Sequence, residues 1–424
     1  MSVELLRGMR DFNPEEAIKF REMVSKIEDI FKRFGFYPIE TPSMESGQVL
    51  NAKAYGQEAN KEMYMLDGGE AGMIYDLTVP LARYVAMNRN LTMPFKRYQI
   101  ARTWRRDEPQ KMRSREFTQA DIDVVGSAEP SSEAEVIGAT ALAIESLGVM
   151  NYDLLISSRV ILNSILNMFG IPLEKHTKVI IMIDKLGKIS RDEAMQQIAG
   201  YGIEAKIADG VLSFISEELP NEEKLKKLAI NAPDAKTESE RLGIILGMLS
   251  NYHISGRVRV DFSLARGLDY YTGTVWEFVA MDGQQRLPTI AGGGRYDSLI
   301  GIYSKTMQPA VGSSIGISRI FDLVKSPDPK QTYAQVYVAN IGQLNFDYAV
   351  TIANFLRSRG VRTDLNLTSR GISKQLEYAN SMHIKYAAIV GDQERQANKV
   401  KLRDMSTGSE ELLDIEEVIS KIQG

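Results

Sequence analysis

Cysteine is absent from all 424 residues, and histidine occurs only three times, as His176, His253 and His383. The first absence excludes disulfides and thiolate metal sites. The second leaves no local cluster from which a histidine zinc site or a histidine general base would be built. No apolar run approaches the ~18–20 residues needed to cross a bilayer. The opening MSVELLRGMRDF lacks the apolar core of a signal peptide, so a cytoplasmic protein with no membrane contact is expected. A net charge of −4 supplies no global field for nucleic acid, and such a partner would need a local basic surface. What is present is ordinary, with 44% hydrophobic and 25% charged residues. The length suits roughly two to four domains. Chemistry must therefore come from arginines, carboxylates, amides, tyrosines and a carboxylate-bound Mg²⁺.

The stretch FKRYQIARTWRRDEPQKMRSREFTQADIDVVG, from Phe95 to Gly126, reads as two antiparallel strands joined by a charged loop. Strand side chains alternate between faces. Arg97, Gln99, Thr103 and Arg105 share one face of the first strand, and Arg115, Phe117, Gln119, Asp121 and Asp123 share one face of the second. Tyr98, Ile100, Trp104, Ala120, Ile122 and Val124 take the opposite faces. A half-solvated sheet would give the same alternation. The arginines from Arg105 to Arg113 suit phosphate, because guanidinium meets phosphate oxygens as a fork. Phe117, an aromatic on the polar face, suits stacking of a flat base.

Ahead of the hairpin, Asn13-Pro14-Glu15-Glu16 is a helix start, and Phe20, Val24, Ile27, Phe31 and Phe34 form its apolar stripe up to Gly35. Pro38 and Pro42 mark an extended segment. Thr78 reads as a helix N-cap, which leaves Asp76 without a role. After the hairpin, Ser132 and Glu135 read as a capping box, and NYDLLIS as a strand. From about 165 to 250 the pattern is helical, with cap signals at Ser190 and Thr237, and reads as an inserted domain. Strands return around Val258 and Thr274. Gly292-Gly293-Gly294 fits either close approach to a ligand or a flexible turn. A strand then runs into a helix carrying Arg319. Residues 326–330 read as a linker, and 331–424 as alternating strands and helices closing on a helix ELLDIEEVISKI.

Taken together these motifs resemble the histidyl-tRNA synthetases among the class II aminoacyl-tRNA synthetases. TWRRDEPQKMRSREFTQADID is similar to class II motif 2, RGLDYYTGTVWEF and AGGGRYD to the two histidine signatures, and GSSIGISR to motif 3. The first helix with Pro42 is similar to motif 1, which forms the dimer interface in that family. The resemblance implies an α+β fold: a class II synthetase-type antiparallel sheet flanked by helices, with a helical insertion and a C-terminal α/β anticodon-binding domain. It implies a catalytic domain at 1–325, including the insertion at about 165–250, a linker at 326–330 and an anticodon-binding domain at 331–424. It implies a homodimer that uses ATP and Mg²⁺ to join L-histidine to tRNA(His), with the insertion clasping the acceptor stem.

Residue roles follow from the same resemblance. Arg105 and Arg266 would hold the α-phosphate as catalytic residues, with Arg266 also beside the histidine, and Arg113 would reach the γ-phosphate. Phe117 and Arg319 would sandwich adenine, with Asp107 at its edge. Asp123 and Tyr271 would bind the imidazole, and Asp76, Thr78 and Gln119 the α-ammonium, with Tyr296 nearby. Asp123 in place of the bacterial Glu, and YDLTVP in place of a Glu-containing motif, resemble the archaeal and eukaryotic branch. A second reading is a synthetase-like regulatory subunit of histidine biosynthesis without aminoacylation. Such subunits typically lack the anticodon domain and erode the catalytic arginines. A third, a bare nucleic-acid-binding module, conflicts with Asp76 and Asp123, because carboxylates repel phosphate.

Overall fold

The computed structural model describes residues 3–52, 62–186, 189–254, 256–264, 270–324 and 331–423. Arg266 and the linker at 326–330 lie outside the described residues. The chain forms two compact units, one of Met1–Arg10 with Met23–Lys325, the other of Asp11–Glu22 with Ser326–Gly424.

The strands in chain order are β1 (Tyr37–Pro38), β2 (Met44–Ser46), β3 (Met65–Leu66), β4 (Ala71–Met73), β5 (Phe95–Trp104), β6 (Glu116–Val125), β7 (Tyr152–Ser158) and β8 (Arg257–Val260). They continue as β9 (Thr274–Asp282), β10 (Gln285–Arg295), β11 (Ala310–Gly316), β12 (Val336–Asn340), β13 (Thr363–Leu365), β14 (Tyr386–Val390), β15 (Val400–Asp404) and β16 (Glu410–Leu413). In the first unit, eight of them make one sheet in the order β1-β5-β6-β11-β10-β9-β7-β8. Only the edge pairs β1–β5 and β7–β8 are parallel. The 95–126 hairpin forms as its alternation requires, pairing Arg97 with Asp123, Gln99 with Asp121 and Thr103 with Phe117. Its polar face is not half-solvated, however: Arg97, Gln99, Asp121 and Asp123 are all buried.

Local chemistry explains most element ends. Asn13 and Glu16 cap one another reciprocally at the start of helix Pro14–Arg33, through contacts of 2.8 and 3.1 Å. Met23, Ile27 and Phe31 line its buried stripe. Gly35 follows the helix with φ +73°. Ser190 caps helix Arg191–Gly200. Three expectations need correcting. The cap of helix Thr78–Met87 is supplied by Asp76, whose Oδ1 accepts from the Thr78 and Val79 amides at 3.1 and 3.0 Å. Helix Pro130–Ser146 starts with proline in its first turn and no side-chain cap. Ser132 instead meets Ser127, and Glu135 takes Lys96 and Tyr252. Thr237 lies inside helix Lys236–Leu249 and caps nothing at its start.

The triple glycine is also not a flexible turn; it lies within β10, opposite β11 and β9. A Cβ on Gly293 would stand 2.0 Å from the Gly312 carbonyl oxygen and 2.7 Å from the Trp276 ring. Glycine is required there by close packing of backbone on indole.

In the second unit the sheet order is β13-β12-β14-β15-β16, parallel through the first three and antiparallel at β15 and β16. The terminal helix begins at Ile415, because Glu410–Leu413 pairs with β15 as a strand. Among the described residues no helix is long and apolar enough to cross a membrane.

Candidate active site

Strands β6 and β11 run side by side across the middle of the large sheet, and a cavity of about 400 Å³ opens above them. Every candidate residue among those described lines it: Asp76, Thr78, Arg105, Asp107, Arg113, Phe117, Gln119, Asp123, Tyr271, Tyr296 and Arg319. The hairpin's in-register face brings Phe117, Gln119 and Asp123 to one wall. The turn before helix Thr78–Met87 brings Asp76, and helix Ile317–Leu323 brings Arg319.

One end of the cavity is cationic. Arg105 donates from Nε to the Tyr75 carbonyl at 3.2 Å, and its guanidinium carbon lies 4.2 Å from the centre of the Tyr75 ring and 5.1 Å from that of Phe117. The side chain is thereby held between aromatic faces, an arrangement favourable to guanidinium. Arg113 pairs with Asp107 at 2.6 Å. Burial works against charge on Asp107, but the Arg113 contact outweighs it and holds the carboxyl below its usual range. The Tyr75 hydroxyl donates to Glu62 at 2.8 Å, and burial pushes Glu62 upward. Arg319 donates to the Thr289 carbonyl at 2.7 Å, which fixes the guanidinium at the rim.

The other end is lined by carboxyls and phenols. Asp123 Oδ2 lies 2.7 Å from the guanidinium of Arg97, and its Oδ1 accepts from the Tyr296 hydroxyl. Burial raises the Asp123 pKa, opposed by the charge of Arg97. Tyr270 donates to Asp76 at 3.4 Å. Gln119 donates to Ser314 on β11 at 2.6 Å, which orients its amide. Glycines make this end possible. A Cβ on Gly312 would stand 1.8 Å from Asp123 Oδ1, and one on Gly294 2.7 Å from the Tyr271 ring.

Tyr296 is itself held by what precedes it. Arg295 grips Glu133 with two contacts of 2.8 and 2.7 Å, and Arg241, from helix Lys236–Leu249, reaches the same carboxylate at 2.6 Å. Sequence reasoning assigned no role to Arg97, Tyr270, Ser314 or this Glu133 hub. Arg97 was visible on the polar face opposite Asp123, and the pairing register would have matched them. The Glu133 hub joins residues distant in sequence and left no local signal.

Among the described residues no group of three His, Cys, Asp or Glu side chains is placed to hold a metal ion. The arrangement offers arginines for phosphate at one end, and hydrogen-bonded acids for a small cationic ligand at the other.

Comparisons with known proteins show the family. A family model described as histidyl-tRNA synthetase matches residues 8–320, and one described as anticodon binding domain matches residues 335–424. The histidine–tRNA ligase of Porphyromonas gingivalis is 36% identical, over 96% of each chain. That of Nanoarchaeum equitans is 39% identical, over 97% of this chain and 96% of the other. A crystal structure of histidyl-tRNA synthetase from a Nostoc species superposes with a TM-score of 0.87 at 27% identity, covering 100% of this chain and 99% of that one. With both its N-terminal and C-terminal regions matched and full-length relatives from a bacterium and an archaeon, the chain belongs to the histidyl-tRNA synthetase family.

Proposed function

We propose that the chain activates L-histidine with ATP to histidyl-adenylate, releasing pyrophosphate, and then transfers the histidyl group to the 3′ end of tRNA(His). The observation that carries this reading is one cavity that is cationic at one end and acid-lined at the other. The histidine carboxylate attacks the ATP α-phosphorus in line. Arg105 and Arg266 hold the charge that develops on the equatorial oxygens, a task of placement more than of covalent chemistry. Arg113 takes the γ-phosphate, exchanging Asp107 for it, and Phe117 and Arg319 enclose adenine with Asp107 at its edge. Asp123, already oriented by Arg97 and Tyr296, pairs with one imidazole nitrogen and Tyr271 with the other, since a neutral imidazole has one donor and one acceptor. Asp76, Thr78 and Gln119 take the α-ammonium. Mg²⁺ would come as part of the MgATP substrate and would supply countercharge to its phosphates.

Residues 331–424 serve as the anticodon-binding domain, and about 165–250 meet the acceptor stem. At the carboxyl ends of β12 and β13 the side chains Ile341, Leu344 and Leu367 are exposed, with Arg370 in the same loop as Leu367. The chain leaves β12 for β13 on one side and later for β14 on the other, so these ends lie at a topological switch point, the place where open α/β sheets take ligands. Apolar side chains beside an arginine suit unstacked bases. Exposed Tyr37 and Met44, which follow the first helix in sequence, support homodimer formation through that segment. The protein works in the cytoplasm.

Histidine-dependent ATP–pyrophosphate exchange tests the reading, and its absence would favour the regulatory-subunit alternative. That alternative is disfavoured by retention of Arg105, Arg113 and Arg319 around the cavity and by the matched anticodon domain. Removing residues 326–424 is expected to spare exchange while crippling tRNA charging; equal charging by the truncated chain would refute the anticodon role. Arg266→Ala is expected to lower the exchange rate far more than ATP affinity, because its contact strengthens in the transition state. Unchanged exchange kinetics would remove Arg266 from the mechanism.

A further inference from the structure

Between Gln119 and Asp123 on β6 stands Asp121, which the family resemblance leaves without a role. It is 2% exposed and lines the cavity. Across β5 it faces Gln99 and across β11 it faces Ser314. Its Oδ1 has no hydrogen-bond partner among the described residues. A buried acceptor left unmade is costly, so such an atom at the wall of a cavity points to a ligand that completes it.

The surrounding charge says which kind of ligand. Facing Asp121 are Arg97 from β5, Asp123 from its own strand and Asp76 from the turn before helix Thr78–Met87; β11 presents the uncharged Ser314. Among the described residues three carboxyls therefore share one guanidinium, and that guanidinium is already paired with Asp123. An amino acid entering with a protonated amine restores the balance. A neutral or anionic ligand would not.

We propose that Asp121 is a further substrate-recognition residue, whose free oxygen accepts a hydrogen bond from the cationic end of the bound amino acid and whose carboxyl gives up its proton to solvent as that cation arrives. The balance is simple: a carboxylic acid and an ammonium go in, and a carboxylate–ammonium pair and one free proton come out. In the empty pocket burial raises the Asp121 pKa to about 7, with Arg97 opposing and Asp123 adding to the rise. The folded, empty site therefore holds the proton below neutrality, and the bound cation lowers the pKa and expels it. Histidine binding tightens as pH rises through that window.

The inference rests on the amino-acid reading of the acidic end, and its test separates the two. Calorimetric titration of the full-length protein with L-histidine, in buffers of different ionisation enthalpy near pH 7, counts the protons released. The wild type is expected to release on the order of half a proton per site beyond what Asp121→Asn releases. In the same variant the KM for histidine rises about tenfold or more, while the KM for ATP holds. Equal proton counts and equal histidine KM in the two proteins would overturn the proposal. Failure of the wild type to bind histidine would instead overturn the amino-acid reading, and the proposal with it. Ser314→Ala provides an arm that keeps the carboxyl. Because the Ser314 hydrogen bond lowers the Asp121 pKa, its loss moves the midpoint of proton release to higher pH, and an unmoved midpoint would also overturn the proposal.

Discussion

Replacing Arg105 with alanine is expected to lower kcat for histidine-dependent pyrophosphate exchange by about 10²–10³-fold, the range typical of removing a preorganised transition-state contact. Substrate affinities should change much less. Arg105 is suited to such a role because its geometry is set before any ligand arrives, by the Tyr75 carbonyl at 3.2 Å and the two aromatic rings it lies between. A group held in this way spends little reorganisation at the moment of reaction. Lysine at the same position should recover only part of the rate, since an ammonium keeps the charge but loses the planar fork. Exchange assays that vary ATP and histidine separately distinguish kcat from KM. A kcat within about threefold of wild type would take Arg105 out of the chemistry, being far below the loss that a transition-state contact implies.

Arg97→Ala is expected to destabilise the fold by about 3–5 kcal/mol, the usual cost of stranding a buried charge. Arg97 is fully buried; its Nη2 lies 2.7 Å from Asp123 and donates to the Leu77 carbonyl at 3.1 Å. Without it, Asp76, Asp121 and Asp123 would sit together with no cation beside them among the described residues. The defect should depend on pH, with a definite sign. Burial raises both Asp121 and Asp123, Asp121 to about 7, against an ordinary value of 3.8. A carboxyl raised in the folded state keeps its proton after the unfolded chain has lost it. Its contribution to stability is therefore full below about pH 4 and is lost as pH rises toward 7. Removing Arg97 widens that shift, so the variant's deficit should grow from acid to neutral pH. Denaturant midpoints at pH 5 and pH 7.5 measure this, and a deficit that shrinks toward neutrality would contradict the electrostatic account.

Much of this was legible in the residues, for identifiable reasons. Strict alternation from Phe95 to Gly126 allows only one pairing of faces, so Arg97, Phe117, Gln119 and Asp123 were assigned to a common side before any coordinates. Asn13, Ser190 and Gly35 announced helix ends because each satisfies a specific backbone need. The failures also have physical causes. Thr78 looked like a cap because hydroxyls often are, but the nearby carboxylate of Asp76 is the stronger acceptor for the two amides. Gly292 to Gly294 left two readings open, close approach to a ligand or a flexible turn, because glycine permits many conformations. The need at Gly293 is the lack of a side chain, set by Trp276 and Gly312 from other strands, and local sequence does not carry that information. Alternation by itself also left open a half-solvated hairpin; the polar face is buried instead because the turn at Asp76 and Leu77 and the side chain of Tyr296 come down on it from elsewhere in the chain.

The Glu133 hub has a mechanical meaning. One carboxylate, without solvent exposure, is gripped by Arg241 of the inserted helices and by Arg295, the residue adjoining Tyr296, whose hydroxyl holds Asp123. Pulling Arg241 away would leave a buried anion with half its countercharge, so displacement of that helix is resisted at a point one peptide bond from Tyr296, the tyrosine that orients Asp123. The insertion and the Asp123 end of the cavity are thus strapped to a common post, so a load on the inserted helices reaches that end of the cavity through a short, stiff linkage.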